Sequence, residues 1–401
     1  MTALLPFLKS LFPPSQYDRI LVVGGTVRDM LLEKEGSDID LIAALSPDEF
    51  SAAGFRLVET TSGATIYFKH HPEFGKIEVT RIDSIAGLEN DLRQRDFTIN
   101  AMTMNLDGDL FDPLNGKNDV TKRLLRVCGE ESFKCDPLRI FRAFRFEADG
   151  WRMTPGTETL IRTENWHETL RIMPAERFSN EMFKAMTRIT PERFFEKMIE
   201  FNVGYEFIPE IFRMPQIPAG PLQHHPEGDL FTHSIQVLQR VASRSEDPLA
   251  RFCAFFHDLG KLATAPALYP KHHGHDYAGF AMAVDFCNRL RLSTAHRIAL
   301  AWISSLHGKA NLWDTLRDST KVTIAEQAIK AGIVEILPLV AAADKAGNQP
   351  MNGWDETVRI ARMNTPELGI DQEKLEAMPA GNRAAFILQQ RVNVLRKNAS
   401  S

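Results

Sequence analysis

In the N-terminal part of the chain, hydrophobic positions come as short β-branched runs cut by glycine and acidic turns. Arg19–Val23 predicts a strand ending in Gly24-Gly25, and helical spacing follows through Leu32. Ile39–Ala43, opened by Gly36-Ser37, predicts a second strand; alternation over Ala64–Lys69 and Lys76–Ile82 predicts two more. Asp96–Asn105 passes from polar to apolar, and Asn105–Asp109 reads as a turn. A small α/β domain to about residue 112 results. From Asp136 the period becomes helical, over Asp136–Glu147, Pro174–Met186 and Pro191–Phe201. Ile208–Pro226 carries Pro209, Pro215, Pro218, Pro221 and Pro226, and reads as a linker or irregular crossover between domains. Leu230–Val241, Pro248–Asp258, Ala278–Leu290, Ala295–Leu306 and Val322–Ala331 predict an all-α second half. Signals weaken from Pro350 until a helix over Asn382–Val394.

Length and composition narrow the class. A chain of 401 residues holds two or three domains. With 44% hydrophobic and 25% charged residues it is neither disordered, a coiled-coil rod nor a collagen-like fibre. Its longest apolar run, near Ile336–Ala343, falls far short of a membrane span, and the uncharged start does not resemble a signal peptide. Cys128, Cys135, Cys253 and Cys287 are far apart with no C-x-x-C pair, which predicts reduced thiols in a cytoplasmic chain. The net charge of -5 excludes a globally basic nucleic-acid binder but allows a local patch. Nine of the 12 histidines fall between His224 and His307, which points to a second, metal-related region.

The stretch LVVGGTVRDMLLEKEGSDIDL concentrates the first candidate chemistry. Gly24-Gly25 follows a strand and opens a helix, so bare amides can face phosphate oxygens. Asp38 and Asp40 are two apart on a strand, hence on one face, where paired carboxylates call for a cation such as magnesium. Glu78 adds a third oxygen ligand if its strand lies beside theirs. Taken singly, each of these features is an ordinary turn or a solvated strand residue; their order along the chain is what makes them a site.

GGTVRDMLL followed by DIDL resembles the class II nucleotidyltransferases, the family of bacterial and eukaryotic tRNA CCA-adding enzymes and bacterial poly(A) polymerases. The resemblance implies that Asp38 and Asp40 bind two divalent ions, one acting on the RNA 3'-hydroxyl and one holding the triphosphate. It also implies that Gly24, Gly25 and Arg28 contact the phosphates of the incoming nucleotide. RQRDFTINAM resembles the family's ribose- and triphosphate-binding stretch, matched here by Arg95, Asp96 and Asn100, with Gln94 standing for the first of two arginines.

FKCDPLRIFRAFRFEADGW carries Asp136 and Arg139, three apart and so neighbours on one helical face. The plain alternative is an ion pair at a helix start. A carboxylate beside a guanidinium can instead read the edges of cytosine and adenine, while guanine and uracil present a donor where the arginine needs an acceptor. The family does this with E-D-x-x-R; here Cys135 replaces the glutamate that supports the arginine. Arg142 and Arg145 continue at spacing three, towards a phosphate channel or a solvated face. Asp112–Gly129 resembles the family's flexible stretch and is locally basic through Lys117, Lys122, Arg123 and Arg126, a route for an RNA backbone.

In the second half, GDLFTHSIQVL places His233 on a helix, and RFCAFFHDLGKLAT sets His257-Asp258 at the end of an apolar one. His275, His307 and Asp344 follow in separate segments, a donor set that suits a divalent cation. The pattern resembles the HD phosphohydrolase superfamily, specifically the C-terminal module of one group of bacterial CCA-adding enzymes. The resemblance implies His233, His257, Asp258 and Asp344 as ligands of Mg, Mn, Ni, Co or Fe, with His275 and His307 serving a second ion or the substrate phosphate. It further implies phosphatase and 2',3'-cyclic phosphodiesterase activity.

The resemblance covers the chain from Ile20 to Leu306, with a weaker echo in KLEAMPAGNRAAFILQQ. The expected fold is α+β: a polymerase-β-like head over 1–135, then an all-α neck over 136–210 with the base-reading helix, an HD domain over 211–348 and a helical tail over 349–401. The expected function is template-independent addition of C and A to the 3' end of tRNA, or another RNA, from CTP and ATP, with Mg2+ in the head and no membrane partner. The alternatives are a poly(A) polymerase, or an HD phosphohydrolase or RNA-binding scaffold with an inactive head.

Overall fold

A computed structural model of the chain describes residues 3–34, 38–58, 65–345 and 351–399. Gly36-Ser37, Ala64 and Pro350, which enter the expectations above, lie outside the described residues. The chain packs as two units, Met1–Trp166 and His167–Ser401.

In the first unit seven strands form one mixed sheet. They are β1 Ile20–Val23, β2 Asp38–Ala43, β3 Arg56–Val58, β4 Ile66–His71, β5 Gly75–Arg81, β6 Thr103–Asn105 and β7 Leu110–Phe111, in the order β3-β4-β5-β2-β1-β6-β7. The four strands expected from the sequence are present with bounds shifted by a residue or two. The β2–β5 pair is parallel and the other neighbours are antiparallel. Its register sets Asp38 opposite Lys76 and Asp40 opposite Glu78. Ile42, two residues beyond Asp40 on the same face, packs with Val23, Leu88, Leu92 and Ala101 in one apolar cluster, so the carboxylate face of the strand is anchored in core just past the acids. Helix α1, Gly25–Leu31, follows β1 directly.

One segment of this unit departs from the expected helix. Asp136 is not helical: with φ -148° and ψ 96° it is extended, and the helix, α3 here, runs only over Arg139–Glu147. The cause is Pro137, whose ring pushes the preceding residue out of the helical region. The locally basic stretch folds as helix α2, Gly116–Lys122, seated on the RQRDFTINAM motif. Asp112 accepts from the N–H groups of Gly116 and Lys117, and buried Asp119 takes Thr98 Oγ1 at 2.7 Å and Arg126 Nε at 3.1 Å. A Cβ at Gly116 would lie 2.2 Å from Thr98 O, so the helix sits this close only because the residue is glycine. Gly116→Ala should therefore cost about 1–3 kcal/mol in overpacking, read as a lower urea midpoint for the head.

The second unit is helical. Its central helices are α4 Leu230–Ala242, α5 Pro248–Phe256, α6 His275–Arg289, α7 Thr294–Ala310 and α8 Ile336–Asp344. α4 packs on α5 and α8, and α7 packs on α5, α6 and α8. The proline-rich segment is not a linker: it lies inside this unit, where Ile208, Ile211, Met214, Ile217 and Ala219 are buried. It is also tied by polar contacts, with Ala219 O accepting from Lys261 Nζ and Arg213 Nη2 donating to Leu262 O. Regular α-helix in the segment is confined to the short turn Pro209–Arg213, but its apolar positions still found a core.

Candidate active sites of the two units

The head site begins at the β1–α1 turn. Gly24 has φ +64°, and a Cβ there would stand 3.0 Å from Arg95 Nη1 and 4.0 Å from Asp40 Oδ2, so glycine lets the turn close beside the carboxylate. Thr26 fastens α1 to β2 by accepting the N–H of Asp40 at 2.8 Å. Asp38 is exposed and Asp40 half-buried, with Glu78 across the ladder from Asp40 and one Glu78 oxygen 2.5 Å from Lys76 Nζ. Burial first, then the neighbouring Glu78, raises the carboxyl of Asp40, against the pull of Arg95. Three carboxylates around a half-buried position outnumber the cations of Lys76 and Arg95 beside them, and oxygen donors of this kind fit hard divalent cations.

Beside these carboxylates is a cavity of about 390 Å³. All nine residues expected at the nucleotide line it: Gly24, Gly25, Arg28, Arg95, Asp96, Asn100, Asp136, Arg139 and Arg142. Asp40, Arg145 and Phe146 complete the wall, while Asp38 and Glu78 lie outside it. Arg28 is held by Asp29 and by Asn100 Oδ1, the latter at 2.6 Å. Asp96 is buried, and its carboxylate takes the N–H of Phe97, Asn100 Nδ2 and Arg142 Nη2, the last at 2.9 Å. Burial alone would raise this carboxyl, but Arg142, Asn100 and the Phe97 N–H hold it below the usual carboxylate range. The missing glutamate of the arginine-supporting motif has a structural answer. Arg139 donates to Ser132 Oγ at 3.0 Å, to Ser132 O and Arg95 O, and to Gln94 O at 2.8 Å. Five arginines around one cavity suit a polyphosphate.

The second site gathers side chains from five separate segments. His233 on α4, His257-Asp258 just past α5, and Asp344 at the end of α8 place their ligand atoms within 4.8 Å of one another. His233 Nε2 stands 3.0 Å from Asp344 Oδ1, and His257 Nε2 3.2 Å from Asp258 Oδ2. The other oxygen of Asp258 faces a second group, 3.2 Å from His307 Nε2 on α7 and 3.5 Å from His275 Nε2 at the start of α6. His233 and His257 Nε2 and both Asp258 oxygens are buried, and Asp258 Oδ2 also meets Lys261 Nζ at 2.6 Å. Burial opposes charge on His257, yet Asp258 and Asp344 push it up to about 10. Imidazole nitrogens and carboxylate oxygens converging on one buried point are a donor set that fits a divalent cation. A cavity of about 540 Å³ opens over the group, with Arg240, Lys261 and Lys345 in its wall.

Two known families match stretches of the chain: the Poly A polymerase head domain over residues 63–126 and the HD domain over residues 230–336. A relative, the multifunctional CCA protein of Methylococcus capsulatus, is 31% identical over 409 residues and covers 94% of this chain and 95% of its own. The chain belongs to the CCA-adding nucleotidyltransferase family. Its fold agrees with solved CCA-adding enzymes. An apo form superposes with a TM-score of 0.62 at 19% identity, covering 93% of this chain and 86% of that one. A complex with CTP gives 0.61 at 19%, covering 97% and 92%.

Within this CCA-family chain, several residues at the sites carried no motif signal. Thr26, which ties the glycine turn to the Asp40 strand, looks like any helix-start threonine. Asn311, whose Nδ2 donates to Asp344 Oδ2, and Glu227, which meets His233, are single polar residues whose partners are distant or unpatterned in sequence. No helix among the described residues is long and apolar enough to cross a membrane.

Proposed function

We propose that this protein is a template-independent nucleotidyltransferase that adds C and A to the 3' end of tRNA from CTP and ATP, with a metal-dependent phosphohydrolase in its second unit. The observation that carries the reading is Asp40 set opposite Glu78 beside the Gly24 turn and opening on an arginine-lined cavity. The whole-length relative named for CCA supports tRNA over poly(A) as the product. Asp38 and Asp40, with Glu78 opposite Asp40 on the neighbouring strand, would hold Mg2+, which would supply charge for the triphosphate and acidify the RNA 3'-hydroxyl. Arg28, Arg95 and Arg142 carry the phosphates, and Asp96 keeps Arg142 and Asn100 in place. Asp136 and Arg139 offer the acceptor and donors that select C and A. In the second unit His233, His257, Asp258 and Asp344 would hold one of Mg, Mn, Ni, Co or Fe, with His275 and His307 beside Asp258 for a second ion or the phosphate. Four free thiols suit a cytoplasmic setting.

The test is incubation with tRNAs lacking all, two or one of the CCA nucleotides, each NTP supplied separately. C should be taken twice, then A once, with little UTP or GTP incorporated. Unlimited A addition to a CCA-ended tRNA would make the protein a poly(A) polymerase instead. Arg139→Ala should cost about 1–3 kcal/mol of base discrimination, roughly 5–150-fold in the ratio of CTP and ATP over UTP and GTP. Triphosphate binding should change less.

A further inference from the structure

Four imidazoles surround Asp258, and they are not oriented alike. His257 Nδ1 lies 2.8 Å from Ala254 O, His275 Nδ1 2.7 Å from His272 O, and His307 Nδ1 3.1 Å from Ser304 O. Each of these rings gives its Nδ1 proton to a main-chain carbonyl of its own segment and turns Nε2 inward. His233 differs: its Nδ1 lies 2.7 Å from Glu227 Oε1. That carboxylate is nearly buried, its side chain 8% exposed, and the same oxygen meets His225 Nδ1 at 3.0 Å. The second imidazole pins Glu227 from the other side, so it cannot swing away from His233.

We propose that Glu227 is a positioning residue of the second-unit metal centre, holding the His233 ring so that Nε2 faces Asp344 and Asp258, with His225 as its clamp. The inference rests on the metal-centre reading above. An anionic acceptor at Nδ1 fixes the tautomer and makes the opposite nitrogen a stronger ligand than a carbonyl acceptor does. A carbonyl cannot be removed by substitution, so His233 is the one ring of the four whose ligand strength a side-chain change can tune. His225, Glu227 and His233 are also close enough to hold an ion themselves. That would require His233 to give both nitrogens to metals and lose its ring proton, and ion counting separates the two cases.

The experiment is titration of metal-free full-length protein with Co2+, followed by visible absorption and calorimetry, for wild type, Glu227→Ala and Glu227→Gln. Glu227→Ala should weaken the tightest ion by roughly 10–100-fold and shift the Co2+ bands. Glu227→Gln, which keeps an acceptor oxygen without the charge, should fall between, and its circular dichroism checks the fold should the alanine variant not fold. Wild-type affinity and spectrum in both variants would overturn this role alone. Loss of an additional ion in Glu227→Ala, with the remaining ions held as before, would make Glu227 a ligand and likewise overturn it. No Co2+ bound by the wild type would overturn the metal centre together with this role.

Discussion

Asp40→Ala should bring nucleotide transfer to background while leaving the fold intact. The carboxylate stands at the meeting point of the glycine turn, the β2–β5 pair and the arginine cavity, which is the place from which, in the proposed function, it would couple metal charge to the triphosphate. Loss of one preorganised charge-stabilising group commonly costs about 10²–10³ in kcat, and removal of a direct ligand should exceed that. Stability should move the other way. Burial and the nearby Glu78 and Asp38 make the charged form of Asp40 unfavourable in the metal-free protein. Asp40→Asn should therefore melt no lower than wild type in chelator while being equally inactive. An unfolded variant, or one that still incorporates CTP and ATP, would remove Asp40 from the proposed site.

Why the site was legible in the sequence, and the parts that were not, follows from which interactions are local. The Asp38–Asp40 pair and the Gly24 turn are set by a period of two and by backbone sterics, both written in adjacent residues. The Asp40–Glu78 register depends on β5 pairing in parallel with β2 after the β3–β4 hairpin has intervened, and no local pattern specifies it. Strand β3 escaped notice because its three residues are all exposed at the sheet edge and show no alternation. Helix α8 was seen only as an apolar run: buried on most sides, it hides the 3.6-residue period that would have marked it. At Asp136 a spacing of three suggested one helical face, but Pro137 imposes an extended residue before the helix. The support of Arg139 came from Ser132 and two main-chain carbonyls, contacts that only the folded chain brings together.

The two chemistries should separate by mutation, and Asp258 should be the most damaging position in the second unit. One of its oxygens faces His257, the other His275 and His307, so a single substitution disables both candidate ion positions, whereas His307→Ala touches one. Asp258→Asn keeps the volume in a fully buried place, and His257→Ala removes one ligand of the first group. Both should bring hydrolysis of 2',3'-cyclic nucleotides to background and lower bound metal in elemental analysis. CTP and ATP transfer should persist, because every residue assigned to transfer lies within Met1–Trp166. Asp40→Ala should show the reverse pattern. The hydrolysis assay needs Mg, Mn, Ni and Co in turn, since histidine-rich sites differ widely in the ion that supports turnover. If the wild type hydrolyses nothing with any of them and retains no metal, the buried imidazoles and carboxylates serve the packing of the helices, and the second unit acts on RNA by binding alone.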